Sequence, residues 1–246
     1  MTRSLVVCAL LLLVFVAGCG TTGSGELFVE PSIDRSEINI TKVAIVPNRL
    51  PTNLLNPEKW RRFNWGVVAQ QFRDRGIEVI DYETSVNMFR KSGLPVEDTK
   101  GSRDKYAELA EQLGVDAVVV PYYATSGTLK SMFLLNSGYY DAIASFQIYL
   151  KQQNDFFARI DVAGQNYYTT GFGMLIGIGA TAAVTATGSS STSDMETASA
   201  VSLGAFIAGM ALDLGITLRS EDSRWESAFE AGIEAGMRPF FAAIGK

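Results

Sequence analysis

The sequence predicts an α/β protein. A mixed sheet is covered by helices, a Gly/Ala-rich apolar hairpin is inserted, and a C-terminal helix closes the domain. Three observations predict this. Short β-branched apolar runs alternate with segments of helical periodicity between residues 42 and 121. Two longer runs, Tyr139–Lys151 and Phe156–Thr169, alternate apolar and polar residues around a Gln152-Gln153-Asn154-Asp155 turn. A chain of 246 residues that is 47% hydrophobic is also large enough to bury a real core.

Each element follows from its local composition. Lys42-Val-Ala-Ile-Val-Pro47 reads as a buried strand closed by proline. Asn48 to Pro57, with its prolines and asparagines, is a loop, and Pro57-Glu58 opens a helix with proline and a carboxylate in the first turn. Trp60, Phe63, Trp65 or Val67, Val68 and Phe72 recur at helical spacing up to a C-cap at Gly76. Ile77–Ile80 is a second strand, and Tyr82–Ser92 a short helix ending at Gly93. Ser102–Lys105 starts a helix carrying Tyr106, Leu109, Ala110 and Leu113 up to Gly114, after which Asp116–Pro121 is a third buried strand. In the hairpin, Ala144, Phe146, Ile148 and Leu150 alternate with Ser145, Gln147 and Tyr149, the pattern of one dry and one wet face. Ser223 and Glu226 are spaced as a capping box for the last helix, 221–244. Its stripe is Trp225, Phe229, Ile233, Met237 and Ile244, and Pro239 is expected to kink it.

The first residues assign a compartment. Arg3 precedes an uncharged apolar run from Leu5 to Ala17, and Val16-Ala17-Gly18-Cys19 follows at once. The run is too short to cross a bilayer as a helix, which takes about 20 residues, and has the form of a secretory signal. The cysteine after small residues resembles the lipobox of bacterial lipoproteins. That resemblance implies cleavage between Gly18 and Cys19 and acylation of Cys19. Gly20, where an aspartate would imply inner-membrane retention, implies outer-membrane delivery in a diderm bacterium, facing the periplasm. Residues 1–18 are then a signal peptide and 19–39 a lipidated, flexible tether, with Gly20–Gly25 as linker. Residues 40–246 form a single α/β domain with 171–212 as its hairpin insertion.

A wider resemblance rests on four features: Lys42–Pro47, Gly76-Ile-Glu-Val-Ile-Asp81, Ser92-Gly-Leu94, and Glu111-Gln-Leu-Gly-Val-Asp-Ala117 running into a hairpin. The arrangement over Ile40–Thr169 looks like the α/β domain of the TolB amino-terminal part, the curli secretion channel subunit (CsgG-like) and small envelope lipoproteins that activate penicillin-binding proteins. The resemblance implies a scaffold for binding and assembly, with envelope proteins or further copies of the chain as partners, and transfers no catalytic residue.

Val162–Ser193 contains no charged residue, and with the segment Ala198–Leu212 it makes the 171–212 hairpin. Helices would bring Gly173 and Gly177, with Gly204 and Gly209, to close-packed faces as candidate oligomer or membrane contacts. Strands would instead suit a barrel staple, such as the curli channel subunit contributes to an outer-membrane pore. Ala, Met and Leu favour helices packed on the domain or a neighbouring subunit. A secretion-channel subunit inserting this hairpin is the alternative function.

The chemistry is sparse. No histidine is present, which excludes Ser-His-Asp and Cys-His engines and argues against a metal site. A net charge of −5 argues against nucleic acid. Cys8 leaves with the signal, so the mature domain has no free thiol once Cys19 is acylated. Asp81 with Glu83, or Asp104 with Glu108 and Glu111, read as solvated faces rather than acid–base pairs. Gly171-x-Gly-x-x-x-Gly177 has neither dinucleotide nor phosphate-loop spacing. The tyrosine pairs 122/123, 139/140 and 167/168 place one ring inward and one outward, an aromatic surface suited to binding. A non-enzymatic envelope lipoprotein without catalytic residues, metal or cofactor is the expectation.

Overall fold

The computed structural model describes residues 19–31, 38–47, 57–94, 103–132, 135–170 and 221–246. In chain order these form β1 (Cys19–Val29), β2 (Lys42–Ile45), α1 (Pro57–Arg73), β3 (Glu78–Val79), α2 (Tyr82–Lys91) and α3 (Arg103–Leu113). There follow β4 (Ala117–Met132), β5 (Leu135–Leu150), β6 (Asp155–Thr170) and α4 (Glu221–Ala243). The six strands form one mixed sheet in the order β1-β6-β5-β4-β2-β3. β2 runs parallel to both its neighbours, with Val43 opposite Val79 and Ala117. β4, β5 and β6 are successive neighbours joined by two and four residues, connections too short for anything but antiparallel pairing.

The described residues fall into two compact units. Among them, one holds those within 19–21, 127–140, 166–170 and 221–225, and the other those within 22–126, 141–165 and 226–246. The second holds the layered core. Successive residues of a strand point to opposite faces, and Val43–Val46 and Ala117–Val120 are apolar and buried at every position, so both faces are buried there. Val43, Ile45, Ala117 and Val119 join Phe72 of α1 and Ile233, Met237, Phe240 and Phe241 of α4. Ala44, Val46, Val118 and Val120 join Phe89 just before the end of α2 and Tyr106, Leu109 and Leu113 of α3.

The helix stops are read correctly from sequence. Gly76 and Gly114 sit at φ +73° and +62°, where a side chain would be strained. After Gly114 the chain closes with Gly114 N–H on the Glu111 carbonyl (3.0 Å) and Val115 N–H on that of Ala110 (3.0 Å), a Schellman pair. Asp116 then fastens the start of β2: its Oδ2 accepts from Thr41 N–H (2.8 Å), the Thr41 hydroxyl (2.7 Å) and Lys42 N–H (3.0 Å). The phrase Gly114-Val115-Asp116-Ala117 is thus a helix stop joined to a strand anchor. Burial alone would raise the Asp116 pKa, but the bonds from Thr41 and Lys42 outweigh it and hold the carboxyl below its usual range.

Four expectations are corrected. Residues 19–29 are strand β1 rather than a flexible tether, because their glycines let the backbone pack where no side chain would fit, as described below. Tyr149 is fully buried instead of facing water: α3 covers the second face here, and the ring meets Tyr106 (centroids 6.1 Å) and Phe156 (5.7 Å). β4 and β5 run on to Met132 and back from Leu135, well beyond the expected limits of Pro121 and Tyr139, because each supplies the other with backbone partners. The last helix begins at Glu221, so Ser223 lies inside its first turn rather than at the cap, and the helix continues through Pro239 to Ala243.

Candidate functional site

The sequence directs attention to Cys19, and the structure makes Cys19 the first residue of β1, an edge strand beside β6. Gly18 and the hairpin glycines Gly173, Gly177, Gly204 and Gly209 lie outside the described residues.

What holds β1 is absence of side-chain volume. In the layered unit, a Cβ on Gly23 would collide with the carbonyl of Ala231, and one on Gly25 with the backbone of Gly236. On β6, a Cβ on Gly164 would strike the carbonyl of Ala228, while Gly232 of α4 lies against the Gly164 backbone in return. Two strands thus lie directly on the backbone of α4, with glycine at each crossing. Sequence reading missed this seam, although a signal was present. Ala228, Gly232 and Gly236 recur every fourth residue, the spacing that aligns small residues along one helix face. Farther along β1, Phe28 is 45% exposed and Arg159 lies 5.3 Å above its ring.

The other unit contains the start of β1 and an aromatic cluster. The Tyr167 ring lies over Gly20, and the Asn166 side-chain amide donates to the Thr21 hydroxyl (2.8 Å). The next residue, Tyr168, points to the opposite face and covers Gly138. It stacks on Tyr140 at 6.1 Å and 15°, and the Arg224 guanidinium sits 3.9 Å above it. Trp225 meets Tyr140 edge-on at 5.4 Å and 87°. Tyr167 is 37% exposed, while Tyr139, Tyr140, Tyr168 and Trp225 are half-buried. Of the remaining pair, Tyr123 packs edge-on against Phe146 and Phe229 and its hydroxyl is buried, so burial raises its pKa well above the ordinary value.

Of the carboxylates considered for acid–base work, Asp81, Glu83 and Glu108 have structural partners. Asp81 caps α2, accepting from Thr84 N–H (2.9 Å), and this bond lowers its pKa. Glu83 pairs with Arg62. Glu108 accepts from Gln112 (2.9 Å), and Asp104 and Glu111 are exposed on the same helix. Elsewhere Tyr82 donates to Glu58 (2.8 Å), and burial together with that bond moves its pKa up to about 12. Arg159 holds Asp161 below the usual carboxylate range. Among the described residues, no group of three or more His, Cys, Asp or Glu side chains could hold a metal ion. Nor is any helix among them long and apolar enough to cross a membrane.

No family model and no curated protein matches the chain. Among solved structures it is similar to lipoprotein GNA1162 from Neisseria meningitidis, at 16% identity and TM-score 0.34, over 65% of this chain and 94% of that one. It is also similar to the PelC dodecamer from Paraburkholderia phytofirmans, at 12% identity and TM-score 0.33, over 58% of this chain and 80% of that one. A third likeness is to the LpoB C-terminal domain from Salmonella enterica, at 15% identity and TM-score 0.30, over 52% of this chain and 84% of that one. At these identities and TM-scores the likenesses assign no function to this chain.

Proposed function

We propose that the chain is a non-enzymatic envelope lipoprotein, anchored in the outer membrane of a diderm bacterium by acylated Cys19. Its periplasm-facing α/β domain binds or assembles other envelope components. The observation that carries the reading is the apolar run Leu5–Ala17 ending in Val16-Ala17-Gly18-Cys19. Each buried acyl methylene contributes about 0.8 kcal/mol, so several chains on one cysteine give stable anchoring where a single chain does not. The place of Cys19 at the start of β1 adds a physical consequence. The lipid would be joined to the end of a sheet strand, with no linker between, and the folded chain would be held at the membrane surface.

Mass spectrometry of the mature amino-terminal peptide tests the reading. Acylated Cys19 is expected at the new terminus, and Cys19→Ala should move the protein from the membrane to the soluble fraction. An unmodified cysteine in membrane-extracted protein would overturn it.

The alternative, an oligomeric secretion-channel subunit that inserts 171–212, draws on the uncharged sequence that continues β6 from Val162 to Ser193. It predicts bilayer conductance that is lost when 171–212 is deleted. The lipoprotein reading predicts no conductance in either form.

A further inference from the structure

The aromatic cluster stands beside the proposed lipid attachment point. Gly20 follows Cys19 directly, about 3.4 Å along an extended strand, and the Tyr167 ring covers Gly20. The Thr21–Asn166 hydrogen bond sets the start of β1 level with Asn166–Tyr168. Tyr168, Tyr140 and Trp225 form a continuous ring contact there.

These side chains are half-buried or exposed, with apolar bodies and polar tips. Tyr and Trp of that kind favour the boundary between hydrocarbon and water. Among the described residues, the strand stretches that meet here, 19–25, 135–140 and 162–170, contain no Asp, Glu, Lys or Arg, and the Arg224 guanidinium is buried over the Tyr168 ring. Charged side chains at this level would oppose approach to an apolar phase.

We infer that Tyr140, Tyr167, Tyr168 and Trp225 form a contact with the lipid bilayer, seated at the headgroup level of the leaflet that receives the Cys19 acyl chains. The inference rests on the acylation of Cys19 proposed above. Acylation brings the cluster to the membrane, and the aromatic rings then fix the orientation of the chain on it. A lipid interface fits the cluster through its uncharged strand ends, its amphipathic rings and its adjacency to the anchor, with the Arg224 charge covered by Tyr168.

The test uses full-length protein extracted from membranes and reconstituted into phospholipid vesicles doped with brominated phosphatidylcholine. The lipids are brominated either near the headgroup or near the acyl terminus. Headgroup-proximal bromine is expected to quench roughly a third of the tryptophan emission, one of the three tryptophans, and terminal bromine to quench less. Trp225→Phe should remove that quenched fraction while the protein still floats with the vesicles.

Acylated protein that floats yet shows unquenched emission would overturn the inference and leave the anchor reading standing. Stronger quenching by terminal than by headgroup-proximal bromine would overturn it too, as would quenching that survives Trp225→Phe. An unmodified Cys19 in the mass spectrum would remove the anchor reading and the inference together.

Discussion

Two parts of the layered unit bury backbone by opposite means. Around β2 and β4 the space is filled with side chains. Val43, Ile45 and Val119 meet Phe72, Phe240 and Phe241 on one face, and Val118 and Val120 meet Tyr106 and Leu109 on the other. Where β1 and β6 cross α4 the space is closed by omission: Gly23, Gly25 and Gly164 lie against Ala228, Ala231, Gly232 and Gly236 with no room for a single added carbon. The first arrangement gains from the apolar area removed from water. The second gains from close backbone approach, at the cost of the conformational freedom that glycine loses on folding. One packing surface is written in hydropathy and the other in its absence.

Substitutions sharpen the contrast. Phe72→Ala should have the largest effect, because the fully buried ring makes edge contacts to Phe240 (6.1 Å) and Phe241 (5.1 Å). A loss of about 4 kcal/mol is expected in chemical denaturation. Gly164→Ala should cost about 3 kcal/mol although it adds only a methyl group, since backbone must shift to admit it. Gly66→Ala is its control, because nothing lies within 4 Å of a Cβ at that position of α1. There the same change should stabilise by about 0.5–1 kcal/mol. Equal effects at positions 66 and 164 would break the distinction between filled and omitted volume.

Asp116 links the side-chain-filled half to pH. Its carboxyl is held below the usual range by Thr41 and Lys42, so it stabilises the fold above the unfolded value of about 3.9. That contribution should be lost as pH falls through the lower folded value. Asp116→Ala should cost about 1–2 kcal/mol at neutral pH and flatten the acid limb of a stability profile. A limb of unchanged slope would show that Asp116 titrates alike in both states.

A small gain, comparable to that at Gly66, is expected at Tyr123. Its buried hydroxyl has no hydrogen-bond partner among the described residues, so Tyr123→Phe should raise stability by about 1 kcal/mol, measured as a higher urea midpoint. A decrease would identify a bond to that oxygen.

Much of the fold was legible before any coordinates. The stripe Tyr106/Leu109/Ala110/Leu113 is buried as periodicity predicts, and of Trp225/Phe229/Ile233/Met237/Ile244 all but the half-buried Trp225 are. Apolar residues gain from burial wherever their neighbours in sequence already align them. Tyr149 was misplaced because alternation shows which residues share a face, while burial of the second face depends on α3, packed there from another part of the chain. Gly20–Gly25 was misread for a related reason. Glycine-rich sequence is permissive, and only a backbone brought against it distinguishes a linker from a contact.

By itself, the sequence determined the α/β class, the helix stops at Gly76 and Gly114, and the candidate anchor at Cys19. Each follows from local chemistry: strand and helix periodicity, the positive φ that glycine tolerates, and a cysteine after an apolar run. Only the tertiary structure decided that β1 begins at that cysteine, that its glycines seat on α4, and that Tyr167 and Tyr168 cover Gly20 and Gly138. Those facts depend on which distant segments approach one another, and a missing side chain leaves no mark in hydropathy until something packs against it.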